Sequence, residues 1–204
     1  VIRSVNNAAT FHVIPNAVDI SRHPFMSKEK YMLFLGRVEI NQKGLDLLLA
    51  AWDQLKSPLK LIIAGSGSEG EVATLKQSLT QLKNPNSVEY LGHVEGSLKS
   101  KLMSRALATV IPSRYETFSM TALESLAHST PIICFDIPGM DWISPSSAIR
   151  AKSFGPKSLA TCIRRLSASP ALRTKLSKSA LEESKKYNFK NILKQYRQVI
   201  EDLT

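Results

Sequence analysis

The sequence predicts an α/β protein built on an open, doubly wound parallel sheet, and three observations predict it. Five short runs are almost wholly apolar, each closes on a turn, and each of the first four leads into residues with helical period. Strands apolar on both faces belong to a parallel sheet covered by helices, and strand–helix alternation with short turns is how an open sheet of that kind is wound.

The first run, Tyr31–Leu35, ends at Gly36, and Leu45, Leu48, Leu49, Trp52 and Leu55 follow at helical spacing. Leu59–Ala64 ends at Gly65 and leads into Val72, Leu75, Leu79 and Leu82. Val88–Leu91 ends at Gly92, with a helix expected near Ser97–Arg105; Leu107–Ile111 meets Pro112, with a helix expected near Ser119–His128. Ile132–Phe135 is the fifth strand. From about Gly155 onward the pattern is helical, in segments Leu159–Leu166, Ala171–Lys186 and Asn188–Leu203 with breaks at Pro170 and near Asn188.

Composition narrows the function classes. No apolar run reaches the roughly 18 residues of a membrane-spanning helix. Val1–Val5 lacks the basic and apolar regions of a signal peptide and has no initiator methionine, so an excised or processed chain is expected. Cys134 and Cys162 have neither metal-ligand spacing nor a disulfide framework around them. Cys134 reads as a core residue, and the expected compartment is the cytoplasm. The net charge of +10 suits an anionic partner, yet much of the excess is spread through the final helices as on a solvated face. The aromatic–basic clustering of single-strand nucleic-acid platforms is missing, so no nucleic-acid partner is expected.

Ligands of such sheets bind at the carboxyl ends of the strands. After the first strand, Arg37 stands at the strand end and Lys43 at a helix start. Two cations beside helix N–H groups suit a diphosphate, although an Arg37–Glu39 pair is the simpler alternative. After the second, Gly65-Ser66-Gly67-Ser68-Glu69-Gly70 is a literal GxGxxG, and with Glu89 it fits a dinucleotide site and hence an NAD-dependent oxidoreductase. Against this, Glu69 and Glu71 put carboxylates where a pyrophosphate would lie. After the fourth, Glu116 and Glu124 stand eight residues apart at a strand-to-helix turn, where carboxylates can accept from ribose and hexose hydroxyls. The N–H groups of Phe118, Ser119 and Met120 would face a phosphate. Thr121-x-x-Glu124 fits a helix capping box equally well.

Glu116-x7-Glu124 followed by Pro131-Ile132-Ile133 resembles the hallmark of the retaining glycosyltransferases of GT-B fold, glycosyltransferase family four, group 1 type. Pro15-Asn16-Ala17-Val18-Asp19, Gly36-Arg37 with Lys43-Gly44, Gly65-Ser66-Gly67 and Tyr90-Leu91-Gly92-His93-Val94 are similar to its other segments, in the same order. The resemblance implies that Arg37 and Lys43 hold a donor diphosphate and, with Glu116, form the catalytic group. It implies that Val94 meets the base through its backbone, that Glu124 binds ribose and Glu116 the transferred sugar, and that Phe118, Ser119 and Met120 supply backbone donors. Gly65, His93 and Thr117 complete the donor-binding set. No cofactor or metal is implied; the donor is a nucleoside diphosphate sugar, UDP-glucose first among UDP-sugars, and the acceptor a glycan or lipid-linked molecule in polysaccharide biosynthesis. Peripheral membrane association of the full-length enzyme is a further expectation, and a nucleotide-sugar epimerase of related fold an alternative.

This chain departs from the family pattern at Thr117 and Ser119, at Ser129 and Thr130, at Ala17 and at Asp141. The expected organisation is a junction segment over 1–20 from an absent N-terminal acceptor domain, a Rossmann-like nucleotide-sugar-binding domain over 21–154, and C-terminal helices over 155–204 packing on it.

Overall fold

A computed structural model of the chain describes residues 11–20, 26–55 and 58–202. Six parallel strands form one sheet: β1 (Tyr31–Leu35), β2 (Lys60–Ala64), β3 (Val88–Tyr90), β4 (Ala108–Ile111), β5 (Ile132–Phe135) and β6 (Ala148–Ala151). Their order is β3-β2-β1-β4-β5-β6. The chain therefore winds outward from β1 to β3, then crosses back to β4 on the other side of β1, as in a Rossmann-like sheet.

Alternate residues of the strands face opposite layers. Tyr31 and Leu33 of β1 pack with Leu102 and Met103 of α3 (Gly96–Arg105). Met32 and Phe34 point the other way, into the main core with Leu45 and Leu48 of α1 (Leu45–Trp52) and Leu75 of α2 (Glu69–Thr80). Both faces of every central strand are thus covered, which is why these strands are apolar throughout. α4 (Met120–Ala127) follows β4, α5 (Pro156–Ala168) lies against α1, and α6 (Pro170–Ser184) lies against α4. α7 (Phe189–Glu201) closes the described chain; Leu203, where sequence reading ended that helix, lies outside the described residues.

The sheet has one strand more than the five expected. β6 is Ala148-Ile149-Arg150-Ala151, whose two alanines and one arginine give no apolar run to recognise. Its stability comes from pairing with β5 over four residues and from Arg150, whose guanidinium reaches Asp136 at 3.3 Å and the carbonyl of Met140 at 2.9 Å.

The segment Pro15–Asp19 is anchored rather than loose. The Val18 N–H donates to the carbonyl of Tyr187 at 2.9 Å, and its side chain is buried against Leu123 and Ala127 of α4. Residues 1–10 of the expected junction lie outside the described residues. α4 ends on Ser129 in the left-handed region (φ 55°), where glycine is at ease. Its hydroxyl donates to the Ser177 carbonyl at 2.9 Å, which helps offset the strain and ties α4 to α6. Among the described residues no helix is long and apolar enough to cross a membrane.

Lys28, just ahead of β1, extends its ammonium into the protein and donates to Thr130 Oγ1 at 2.6 Å. Burial pushes its pKa down from the ordinary 10.5 to about 7. The unfolded chain then binds a proton that the folded chain lacks between pH 7 and 10.5. Lys28 should therefore make folding more favourable as pH rises through that window, its contribution being complete above 10.5 and lost as pH falls toward 7. In thermal melts across this range Lys28→Met should remove that rising limb and melt higher than the parent at pH 6. A parent–variant difference that does not change with pH would count against the buried ammonium.

Candidate functional site

The site lies where the strand order reverses, between β1 and β4. Two adjoining cavities open there at the carboxyl ends of the strands, of about 480 and 320 Å³. Gly36, Arg37 and Thr121 belong to both. The larger is bounded by the loops after β2 and β3, including Gly65, His93 and Val94, and by Lys99 and Glu124. The smaller is bounded by Lys43, Ser113, Glu116 and the Phe118–Met120 turn.

The Glu116 turn is fixed from several sides. Lys43 Nζ sits 2.8 Å from Glu116 Oε1, and the Ser113 hydroxyl donates to the same oxygen at 2.7 Å. The next residue along, Arg114, does not face the crevice: its guanidinium grips Asp46 with both terminal nitrogens, at 2.8 and 2.6 Å. Burial alone would push the Asp46 carboxyl up, but the hydrogen bonds and charge of Arg114 hold it below its ordinary value. This bidentate pair binds the loop after β4 to α1. Gly44 permits the close approach, since a Cβ there would lie 2.0 Å from the Pro112 carbonyl oxygen, and its φ of 67° favours glycine.

Glu124 lies in the second turn of α4, and its Oε1 is 2.7 Å from Lys99 Nζ of α3. The capping box at Thr121 does not exist. Ser119 caps α4, its hydroxyl accepting from the Ala122 N–H, so Glu124 is free to face the cavity. Among the described residues no carbonyl or side chain accepts from the N–H groups of Phe118, Ser119 or Met120, which leaves them as open donors at a helix start. Thr117 is exposed beside them, and Phe118 stacks on Trp142 with ring centroids 4.5 Å apart.

Arg37 is more loosely held. It pairs with Glu39 at 2.7 Å and reaches Gln42 at 3.1 Å, but its side chain is 62% exposed and lines both cavities. The anticipated Arg37–Glu39 pair is therefore present, on a residue still able to turn toward a ligand. His93 is exposed, with Nε2 3.5 Å from Glu95, whereas Val94 is buried and borders the larger cavity.

The GxGxxG glycines serve the protein's own backbone. A Cβ on Gly65 would fall 1.7 Å from the Gly36 carbonyl oxygen, and one on Gly67 2.2 Å from that of Val38. Around Gly70 there is nothing within 4 Å. Glu71 accepts from the Ile40 N–H at 2.9 Å, putting a carboxylate at the start of α2 where a dinucleotide pyrophosphate would need to bind. The motif thus packs two loops together, and the Glu71 carboxylate disfavours a dinucleotide pyrophosphate at the start of α2. Sequence reading missed Lys99 and Ser113. No local signal marks Lys99; Ser113, three residues before Glu116, is recognisable only once the turn is known. Among the described residues no group of three or more His, Cys, Asp or Glu side chains could hold a metal ion.

The 3-2-1-4-5-6 parallel sheet with a crevice at its switch point has the fold of the C-terminal domain of GT-B glycosyltransferases. The chain belongs to the family of glycosyl transferases group 1, whose sequence profile matches residues 17–183. It is 31% identical over 180 residues to an uncharacterized glycosyltransferase of Methanocaldococcus jannaschii, a match that takes in 82% of this chain and 43% of that protein. Sucrose-phosphate synthase from Thermosynechococcus elongatus superposes with a TM-score of 0.83 at 24% identity, over 99% of this chain and 55% of that one. TarM of S. aureus, solved with UDP, α-GlcNAc-glycerol and fondaparinux, superposes with a TM-score of 0.81 at 20% identity, over 97% and 41%. The chain thus spans about half of these proteins or less.

Proposed function

We propose that this chain is the donor-binding domain of a glycosyltransferase that moves a hexose, with retention, from a UDP-sugar such as UDP-glucose to a glycan or lipid-linked acceptor in polysaccharide biosynthesis. One observation carries the reading: two glutamates, each held by a lysine, stand on either side of Arg37 at the switch point of the sheet. The larger cavity takes the nucleoside, with the Val94 backbone against the base and Glu124 accepting from the ribose hydroxyls. The smaller takes the sugar, with Glu116 accepting from its hydroxyls. Arg37, common to both, and Lys43 meet the diphosphate between them, joined by the open N–H groups of Phe118–Met120. The UDP in the TarM complex supports this choice of nucleotide.

In the proposed reaction the bond between the sugar and the diphosphate breaks, and negative charge grows on the leaving oxygen. Lys43 and Arg37 stabilise that charge from fixed positions, the effect that usually dominates such catalysis. The acceptor is supplied by a second domain across the crevice. On this reading the isolated chain binds donor and transfers little.

Calorimetric titration with UDP, GDP, ADP and their glucose conjugates tests the proposal. UDP and UDP-glucose should bind, and product analysis should find negligible transfer. Failure of all six to bind at millimolar concentration would overturn the donor reading, and efficient turnover by this chain alone would overturn the need for a second domain.

A further inference from the structure

The loop between β5 and β6 touches the Glu116 turn from behind, and no sequence motif announced it. Gly139 lies in a 3₁₀ turn, Pro138–Met140, directly against the Glu116 main chain. A Cβ built on Gly139 would fall 1.8 Å from the Glu116 carbonyl oxygen, 2.4 Å from its carbonyl carbon and 3.0 Å from its Cβ. All three atoms belong to the backbone or its first side-chain carbon, so no flexible group can step aside. Three residues on, Trp142 of the same loop stacks against Phe118.

The loop itself cannot easily retreat. Arg150 of β6 donates to the carbonyls of Met140 and Ile143 and pairs with Asp136 at 3.3 Å and Asp141 at 3.7 Å. Its side chain is only 19% exposed, so these bonds are poorly contested by water. One guanidinium thus holds both ends of the loop while glycine permits its middle to rest on Glu116.

We propose that Gly139, backed by the Arg150 clamp, is a positioning residue that sets where the Glu116 carboxylate stands, and through it how the donor's sugar is gripped. This rests on the reading of Glu116 as the sugar-binding carboxylate. A side chain at Gly139 forces the Glu116 turn toward the cavity, because the clamped loop gives less readily. Glu124 and Val94 do not touch this loop's contact and keep their grip on the nucleoside. The sugar and nucleotide parts of the affinity should therefore separate, which general loss of structure would not produce.

The test is titration of the parent chain, Gly139→Ala and Arg150→Lys with UDP and with UDP-glucose, alongside thermal melts. For Gly139→Ala the ratio of UDP-glucose to UDP affinity should fall at least tenfold, UDP itself losing less because Glu124 and Val94 stand away from the displaced turn. Arg150→Lys keeps the charge near Asp136 but cannot serve both carbonyls, and should lower the ratio in the same direction by less. If Gly139→Ala does not fold, Arg150→Lys decides. A ratio within twofold of the parent in the folded variants overturns the positioning role while leaving the donor reading intact. A parent chain that binds neither ligand overturns both.

Discussion

Lys43→Ala should raise the dissociation constant for UDP by roughly 10- to 150-fold, the ~1.5–3 kcal/mol of a hydrogen bond to a charged group. The lysine is placed before any ligand arrives. Its Nζ is fixed at 2.8 Å from Glu116, on a side chain that is 21% exposed, so little rotamer freedom remains to be lost on binding. Its removal has a second cost. Glu116 Oε1 would be left with the Ser113 hydroxyl alone, an uncompensated carboxylate beside the incoming diphosphate. Arg37→Ala should fall at the lower end of the range, because that side chain is exposed and must leave Glu39 to reach the phosphates. Calorimetry with UDP and with uridine separates phosphate binding from base and ribose binding, and uridine should be nearly indifferent to both substitutions. Unchanged UDP affinity in both variants would move the diphosphate elsewhere.

Gly65→Ala should lower stability by about 2–5 kcal/mol, combining a disfavoured backbone conformation with overpacking against a neighbouring main chain. In a chain of this size that is a fall of roughly 4–20 °C in Tm. Gly65 has φ 144°, and its neighbours leave no slack. Its N–H donates to the Gly92 carbonyl at 2.7 Å, while its own carbonyl accepts from Tyr90 Oη at 3.0 Å. The added methyl would have to displace Gly36, the residue from which the Arg37 loop departs, so nucleotide binding should weaken with stability. Gly70→Ala is the matched control. Gly70 lies in α2 with open space around it, and alanine there should gain up to about 1 kcal/mol from helix propensity. Equal melting temperatures for the two variants would refute this account of the motif.

The two glycines show how a sequence pattern can be real and still mislead. GxGxxG did mark a tight strand-to-helix turn. Its spacing said nothing of whether a ligand or another loop filled the space, and the Gly36 and Val38 carbonyls fill it. Likewise Thr121-x-x-Glu124 had the composition of a capping box, but helix α4 begins too early for it and takes Ser119, not Thr121, as its cap. Strands β1, β2, β4 and β5 were legible because burial on both faces leaves an apolar run, and edge strand β3, half-buried around an exposed Glu89, was legible from the Gly92 turn that closes it. β6 was not, since small residues and Arg150 suffice for a strand whose position is settled by its pairing with β5.

What the sequence alone determined was the kind and order of the elements, the ends of the strands where chemistry should gather, and many of the residues that border the crevice. These are properties of neighbours along the chain, recorded in apolar runs for the strands and a period of 3.6 residues for the helices. What only the tertiary structure decided was which of those residues meet. Lys43 joins Glu116 across 73 positions, Arg114 joins Asp46 across 68, and Lys99 joins Glu124 across 25. Each meeting depends on β4 lying beside β1 and not beyond β3, and no local period encodes that order. It follows from packing two helical layers over one sheet, and it turns two separated glutamates into the two walls of a single crevice.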